Sequence, residues 1–337
     1  MLSKAVSVVR GLWSVVWVLS ASLVLTSCSL PSAGPTVTPS PEPTATALPS
    51  ATPIPVLLLV TEDESSPLEA ALRQWATGHG LELRLRSPAG ADGTGLASTP
   101  GVQAIVWIGG EPGPEASGWA GGLPLVVVDS EGITAGGSLS TVGEPGARHD
   151  EASFLAGVLA GLVSQTRRVG LITATGGEHE AVGRMAFVHG LRYGCARCRL
   201  VETGAEEIEP ETLAGQGVDV VSAVPGPEAE TGLSLMAEAG LWIVWTSEPP
   251  SGVAEERLAG GVRFAPEALV EQALEALLAG EGARGWPYSV ENGGIQLTGL
   301  NAAALSPGRQ RVLEAAYQAL AQGGLDPGLD PVTGEER

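Results

Sequence analysis

From residue 56 onward the apolar residues fall into short blocks whose period switches repeatedly between that of a strand and that of a helix. Val56-Leu-Leu-Leu-Val60 is a continuous apolar run of strand length, and Leu68, Ala71, Leu72 and Trp75 then recur on one helical face. Leu81, Leu83 and Leu85 alternate with Glu82, Arg84 and Arg86, the pattern of a half-exposed strand. After a Gly/Ser/Thr-rich stretch, Val102 to Ile108 predicts a strand closed by Gly109-Gly110, and Leu123 to Val128 predicts another that ends at Asp129.

A second series of the same kind opens with the segment Asp150 to Ala174. Phe154, Leu155, Val158, Leu159, Leu162 and Val163 stand at helical spacing, and small Ala156, Gly157, Ala160 and Gly161 between them let one face press closely on a neighbour. Gln165 to Arg168 break the pattern, and Val169 to Thr173 follows as a β-branched run suited to a strand buried on both faces. Further strands are predicted at Arg199 to Glu202, Val218 to Val224 and Leu241 to Trp245, with helices at Glu180 to Tyr193 and Glu228 to Ala239. Two more helices, Pro266 to Leu278 and Pro307 to Gln322, complete the series, and past Gly323 the chain reads as a loosely held polar tail.

Strands that alternate with helix-length connections indicate parallel sheets with helices on their faces. Ligands of such sheets lie beyond the carboxyl ends of the strands, so the first residues after each strand are the positions to inspect.

The N-terminus changes the picture. Lys4 and Arg10 precede an apolar run from Trp13 to Leu25 that ends in Leu25-Thr26-Ser27-Cys28, which resembles a bacterial lipobox. On that reading residues 1–28 are a lipoprotein signal peptide and Cys28 carries lipid; the alternative is an uncleaved membrane helix, since the run is nearly long enough to span. Residues 29–55 are Pro, Ser, Thr and Ala with almost no large apolar side chain, which predicts a disordered tether. The formal charge of −20, with no acid before Cys28, disfavours a nucleic-acid partner.

A family resemblance rests on the same segment. Glu151-Ala-Ser-Phe-Leu-Ala-Gly157, followed at the right distance by Val169-Gly170, resembles the E-x-S-F-L-A-G and V-G elements of the basic membrane lipoprotein family, the purine-nucleoside-receptor-like substrate-binding proteins of ABC importers. The resemblance implies an α/β protein with the two-lobed type I periplasmic-binding-protein fold, each lobe a parallel sheet flanked by helices. An N-terminal lobe is expected at 56–145 with a return segment near 255–290, a C-terminal lobe at 146–254 with 291–322 returning, and the tail at 323–337.

The resemblance also nominates a ligand site. Asp63 and Ser65 match the family loop after the first strand, although Ser66 and Pro67 stand where the family has a base-stacking Phe and an Asn; the same residues could simply cap the following helix. Asp129 matches a family carboxylate that accepts hydrogen bonds from base or sugar, its rival role being a turn residue. Phe187 resembles the second base-stacking ring, against ordinary core packing. Gly226 falls in the family's glycine-rich turn, and Thr246 replaces a ribose-binding Asp, with Glu248 nearby. Trp245 offers a replacement ring or a core residue, and Arg263 occupies the place of a ligand-reaching Lys.

Cys195-Ala-Arg-Cys198 can bind metal or do redox chemistry, yet no second pair or nearby histidine cluster completes a metal site, and in an exported chain a disulfide between Cys195 and Cys198 is preferred. His79, His149, His179 and His189 show no metal-ligand spacing, and no catalytic motif is present. The expectation is a non-enzymatic, lipid-anchored, extracytoplasmic receptor without cofactor or metal. It would capture a small molecule, a nucleoside or related compound, for an ABC permease; the alternative is a sensing or interaction protein on the same fold.

Overall fold

The computed structural model describes residues 55–61, 67–88, 95–96, 98–109, 122–130, 132–144, 146–173, 179–205, 209–224 and 229–337. The lipobox at Cys28, nearly all of the 29–55 segment, and Asp63, Ser65 and Gly226 lie outside the described residues. Everything below belongs to the compact unit Thr52–Arg337.

The first apolar series builds β1 (Val56–Val60), α1 (Pro67–Gly78), β2 (Glu82–Arg86), β3 (Val102–Ile108), β4 (Leu125–Val128) and β5 (Leu139–Val142). The second builds α2 (His149–Val163), β6 (Arg168–Thr173), α3 (Glu180–Gly194), β7 (Arg199–Gly204), α4 (Pro210–Gly215), β8 (Val220–Ala223), α5 (Ala229–Glu238), β9 (Trp242–Thr246) and β10 (Leu258–Phe264). After these come α6 (Pro266–Leu278), β11 (Gly285–Trp286), β12 (Ile295–Thr298) and α7 (Pro307–Ala321).

Two six-stranded sheets result, in the orders β2-β1-β3-β4-β5-β11 and β7-β6-β8-β9-β10-β12. The first is parallel throughout, and in the second only the edge strand β12 runs antiparallel, on β10. The order of the first five strands is the same in both, so one α/β plan is used twice. β1 and β4 are buried along their whole length, as their unbroken apolar runs require, whereas alternating β2 sits at a sheet edge and is half-buried.

The chain passes between the sheets at three places: after β5, after β10 and after β11. Within the expected return segment near 255–290, Leu258–Phe264 is β10 of the second sheet, whereas α6 packs on β4, β5 and α1 and β11 pairs with β5 in the first sheet. Gly260 and Gly261 disguised β10, since a strand with paired glycines lacks the apolar signature. The tail also departs from expectation. Leu329 is fully buried, the Pro327 carbonyl lies 2.8 Å from His189 Nδ1 on α3, and Gly334 sits against Val182.

Helix α2 is the central element. Asp150 to Val163 are all buried, because α2 packs on β8, β9 and β10, on α3 and on α7. Its small residues serve the contact with α3: a Cβ at Gly157 would overlap the Phe187 carbonyl, and one at Gly190 of α3 would overlap the Phe154 carbonyl. Backbone meets backbone there, and alanine is already too large.

Candidate functional site

Strand carboxyl ends from both sheets converge on a cavity of ≈ 370 Å³. Asp129 follows β4, Glu144 follows β5, Ser247 and Glu248 follow β9, Phe264 ends β10, Pro266 opens α6, Tyr288 follows β11, and His149 is the first residue of α2. A pocket at the carboxyl ends of open parallel sheets is where this architecture places ligands.

Asp129 and Ser247 occupy equivalent positions in the two lobes, each directly after the fourth strand of its sheet. Both are non-glycine residues at positive φ, 50° and 73°. The Asp129 N–H donates to the Val142 carbonyl at 3.0 Å, and the Ser247 N–H to the Val262 carbonyl at 2.8 Å, so each turn is fixed to the fifth strand beside it. Left-handed backbone at a non-glycine residue costs on the order of 1 kcal/mol or more and collects at functional positions. The repeat of this conformation in both lobes aims two short polar side chains at one space.

Around Asp129 the site is tightly determined. The Tyr288 hydroxyl donates to its carboxylate at 3.0 Å, and the Glu144 N–H donates to it as well. Burial pushes the Asp129 carboxyl above the usual carboxylate range, and the hydrogen bond from Tyr288 opposes that shift. Burial, together with this carboxylate, also pushes the Tyr288 phenol up, so it stays a donor. Gly143 makes the pair possible: it has φ +89°, and a Cβ there would overlap Asp129 Oδ1 and lie 2.8 Å from the Tyr288 ring.

Beside this pair, Glu144 Oε1 lies 2.6 Å from His149 Nε2 and 3.9 Å from His179 Nε2. The two imidazoles stack at 4.0 Å between centroids and 15° between planes, and His149 sets its edge on the Phe264 ring at 5.2 Å. The hydrogen bond to His149 holds the Glu144 carboxyl below its usual range, against a contrary effect of burial. One ligand atom from each of Glu144, His149 and His179 lies within 4.8 Å of the others, so these residues have the donors to hold a metal ion. The histidines, far apart in sequence, carry no spacing signal; the entry into α2 and the approach to α3 bring them together.

The expected ligand residues that are described, five of eight, divide into three groups. Asp129 faces the cavity, and Thr246, the half-buried last residue of β9, adjoins it through Ser247. Phe187 and Trp245 are core residues instead, 2% and 4% exposed: Phe187 lies in the α2–α3 contact, and Trp245 lies over Gly261 and against Gly299. Arg263 is engaged at the β10–α6 corner, by Glu267 at 2.9 Å and Gln296 at 3.2 Å. Sequence reasoning missed Glu144, His149, His179, Phe264 and Tyr288. Cys195 and Cys198 form the expected disulfide, just past the end of α3.

No protein-family model matches the chain, and no curated protein matches its sequence. Solved structures do share its fold. An ABC transporter system solute-binding protein from Conexibacter woesei DSM 14684 superposes with TM-score 0.58 at 14% identity, covering 81% of this chain and 98% of that chain. A transcriptional activator of the comK gene from Bacillus halodurans gives TM-score 0.61 at 14% identity over 81% of this chain and 99% of that chain. An ABC transporter solute-binding protein from Aeropyrum pernix K1 gives 0.55 at 14% identity over 81% and 93%. At these identities the likeness is one of fold: the chain is a two-lobed α/β protein with the type I periplasmic-binding-protein architecture.

Proposed function

We propose that this chain is an extracytoplasmic solute-binding protein that closes its two lobes on a small molecule and presents it to an ABC permease. The observation that carries the proposal is the cavity at the strand carboxyl ends, to which both lobes contribute and around which the chain crosses three times. Such crossings act as a hinge, and closure about them buries a ligand. The N-terminal Cys28 would bear the lipid, with residues 29–55 as tether.

The chemistry of the rim favours a polar ring compound. Asp129, Glu144 and Glu248 accept hydrogen bonds from hydroxyl or amine groups, and Phe264 and His149 offer ring surface. A nucleoside has both kinds of group, in keeping with the family resemblance at Glu151 to Gly170. With Phe187 and Trp245 in the core and Tyr288 as buried as they are, stacking on a base falls to Phe264. By the same strand-end rule Asp63 and Ser65 after β1, Gly226 after β8, and Thr246 belong to the proposed rim, with Arg263 close behind it.

Thermal shift of the protein against nucleosides, bases, sugars and amino acids tests the proposal. A ligand at a hundred times its Kd adds about 2.7 kcal/mol to stability, a plain rise in melting temperature. Asp129→Ala should abolish the rise for the compound that gives it. If another class stabilises and nucleosides do not, the nucleoside assignment fails; if Asp129→Ala binds as the wild type does, the site assignment fails.

A further inference from the structure

Glu144, His149 and His179 form the group of three metal-ligating side chains found among the described residues, and three segments supply them: the turn after β5, the start of α2 and the approach to α3. We propose that they bind one divalent transition-metal ion of the zinc class at the hinge side of the cleft. The site does not depend on transport and would stand even if the receptor assignment failed.

The geometry is close to what such an ion needs. Glu144 Oε1 is 2.6 Å from His149 Nε2 and 3.9 Å from His179 Nε2. Metal bonds of ~2.0–2.1 Å in tetrahedral coordination set ligand atoms ~3.3 Å apart, so the separations suit an ion, and binding requires one imidazole to turn out of the stack so that both in-plane lone pairs converge. Outer contacts already hold two of the ligands: the Ala147 N–H donates to the Glu144 carboxylate, and His149 rests its edge on Phe264. Such support fixes ligand orientation and strengthens binding.

Donor type selects the class. Two imidazoles and one carboxylate suit zinc and its first-row neighbours, whereas magnesium and calcium take oxygen ligands. Charge favours a cation too, because the cavity lining adds Asp129 and Glu248 and includes no lysine or arginine. Nearby Arg148 is held away on Asp150 and Glu151 at 2.8 and 2.9 Å. The ion can enter, since the His179 side chain is 44% exposed. Three protein ligands leave the fourth position to water or to a donor atom of a solute in the cavity.

Calorimetric titration of the full chain in detergent with zinc chloride, and cobalt(II) absorption as a second readout, decides the matter. The expected result is one zinc per chain with micromolar or tighter affinity, and a tetrahedral cobalt spectrum. His179→Ala and Glu144→Gln should each weaken binding by ~100-fold or more, since loss of even an outer-shell partner costs ~10–100-fold. His179 lies at the edge of the site with its side chain 44% exposed, and an unchanged circular dichroism spectrum checks that its replacement leaves the fold intact. The absence of stoichiometric binding overturns the proposal. Binding that survives His179→Ala overturns it equally, by placing the ion on scattered carboxylates or other histidines.

Discussion

Gly143 shows how much of the site rests on a single missing atom. A side chain at this position would meet both the Asp129 carboxylate and the Tyr288 ring, and its φ of +89° belongs to glycine. Gly143→Ala should therefore separate Tyr288 from Asp129 and lower stability by about 1–3 kcal/mol, from backbone strain and overpacking combined. Urea denaturation would show this as a lower midpoint, with weaker binding of any ligand that needs Asp129. An unchanged midpoint would mean that the Asp129–Tyr288 pair yields without cost, and that the cleft is softer than its contacts indicate. Asp129 was legible in the sequence because it ends an unmistakable apolar strand. Tyr288 was not, since nothing local links it to a carboxylate 159 residues before it, more than the length of a lobe.

The same contrast holds for whole elements. Long apolar runs such as β1, β3 and α2 were readable because their burial leaves a periodic trace. β5 and β10 left none: Leu-Ser-Thr-Val is short and half polar, and Leu-Ala-Gly-Gly-Val-Arg-Phe is broken by glycines. Glu144 and Phe264 stand at the ends of those two strands and were lost with them, as Tyr288 was with β11. His149 and His179, by contrast, open helices that were read, and were missed because the strand-end rule does not inspect helix starts. The rule of inspecting strand ends was sound, but it was applied to an incomplete set of strands. The α2–α3 contact, by contrast, was written in the small residues of α2, and it carries a prediction of sign. In an open helix position Gly→Ala stabilises by up to about 1 kcal/mol. Gly215 in α4 is such a position, with nothing within 4 Å of a new Cβ, whereas at Gly190 the Cβ would overlap the Phe154 carbonyl. Gly215→Ala should thus raise the melting temperature slightly, and Gly190→Ala should lower it by the equivalent of about 1–3 kcal/mol. Equal effects at the two positions would deny that α2 and α3 touch through their backbones.

At the scale of the molecule, the question is what ties three separate crossings into one hinge. Arg148 and Glu151, at the start of α2, do much of it. The Arg148 N–H donates to the Tyr288 carbonyl at 2.8 Å, and the Val290 N–H donates to Glu151 Oε2 at 2.8 Å, so the first crossing is bonded to the third. Arg148 also pairs with Asp150 and Glu151, whose side chains are 0% and 8% exposed. Burial pushes the Glu151 carboxyl up, and the hydrogen bond from Val290 and the Arg148 charge act to keep it ionised. The acid that begins the family-like segment is therefore a hinge fastener rather than a ligand contact. Two replacements separate its two functions. Glu151→Ala leaves a buried N–H without its acceptor and removes one of the guanidinium's counter-charges, a loss of about 3–5 kcal/mol when a buried pair is broken. Glu151→Gln keeps an acceptor for Val290 and removes only the charge, so it should cost measurably less. Denaturant midpoints of the two variants give the comparison. If they fall together, the ion pair alone matters, and the bond from the first crossing to the third is incidental. If Glu151→Gln holds most of the wild-type midpoint, the hydrogen bond to Val290 is what keeps the crossings in register.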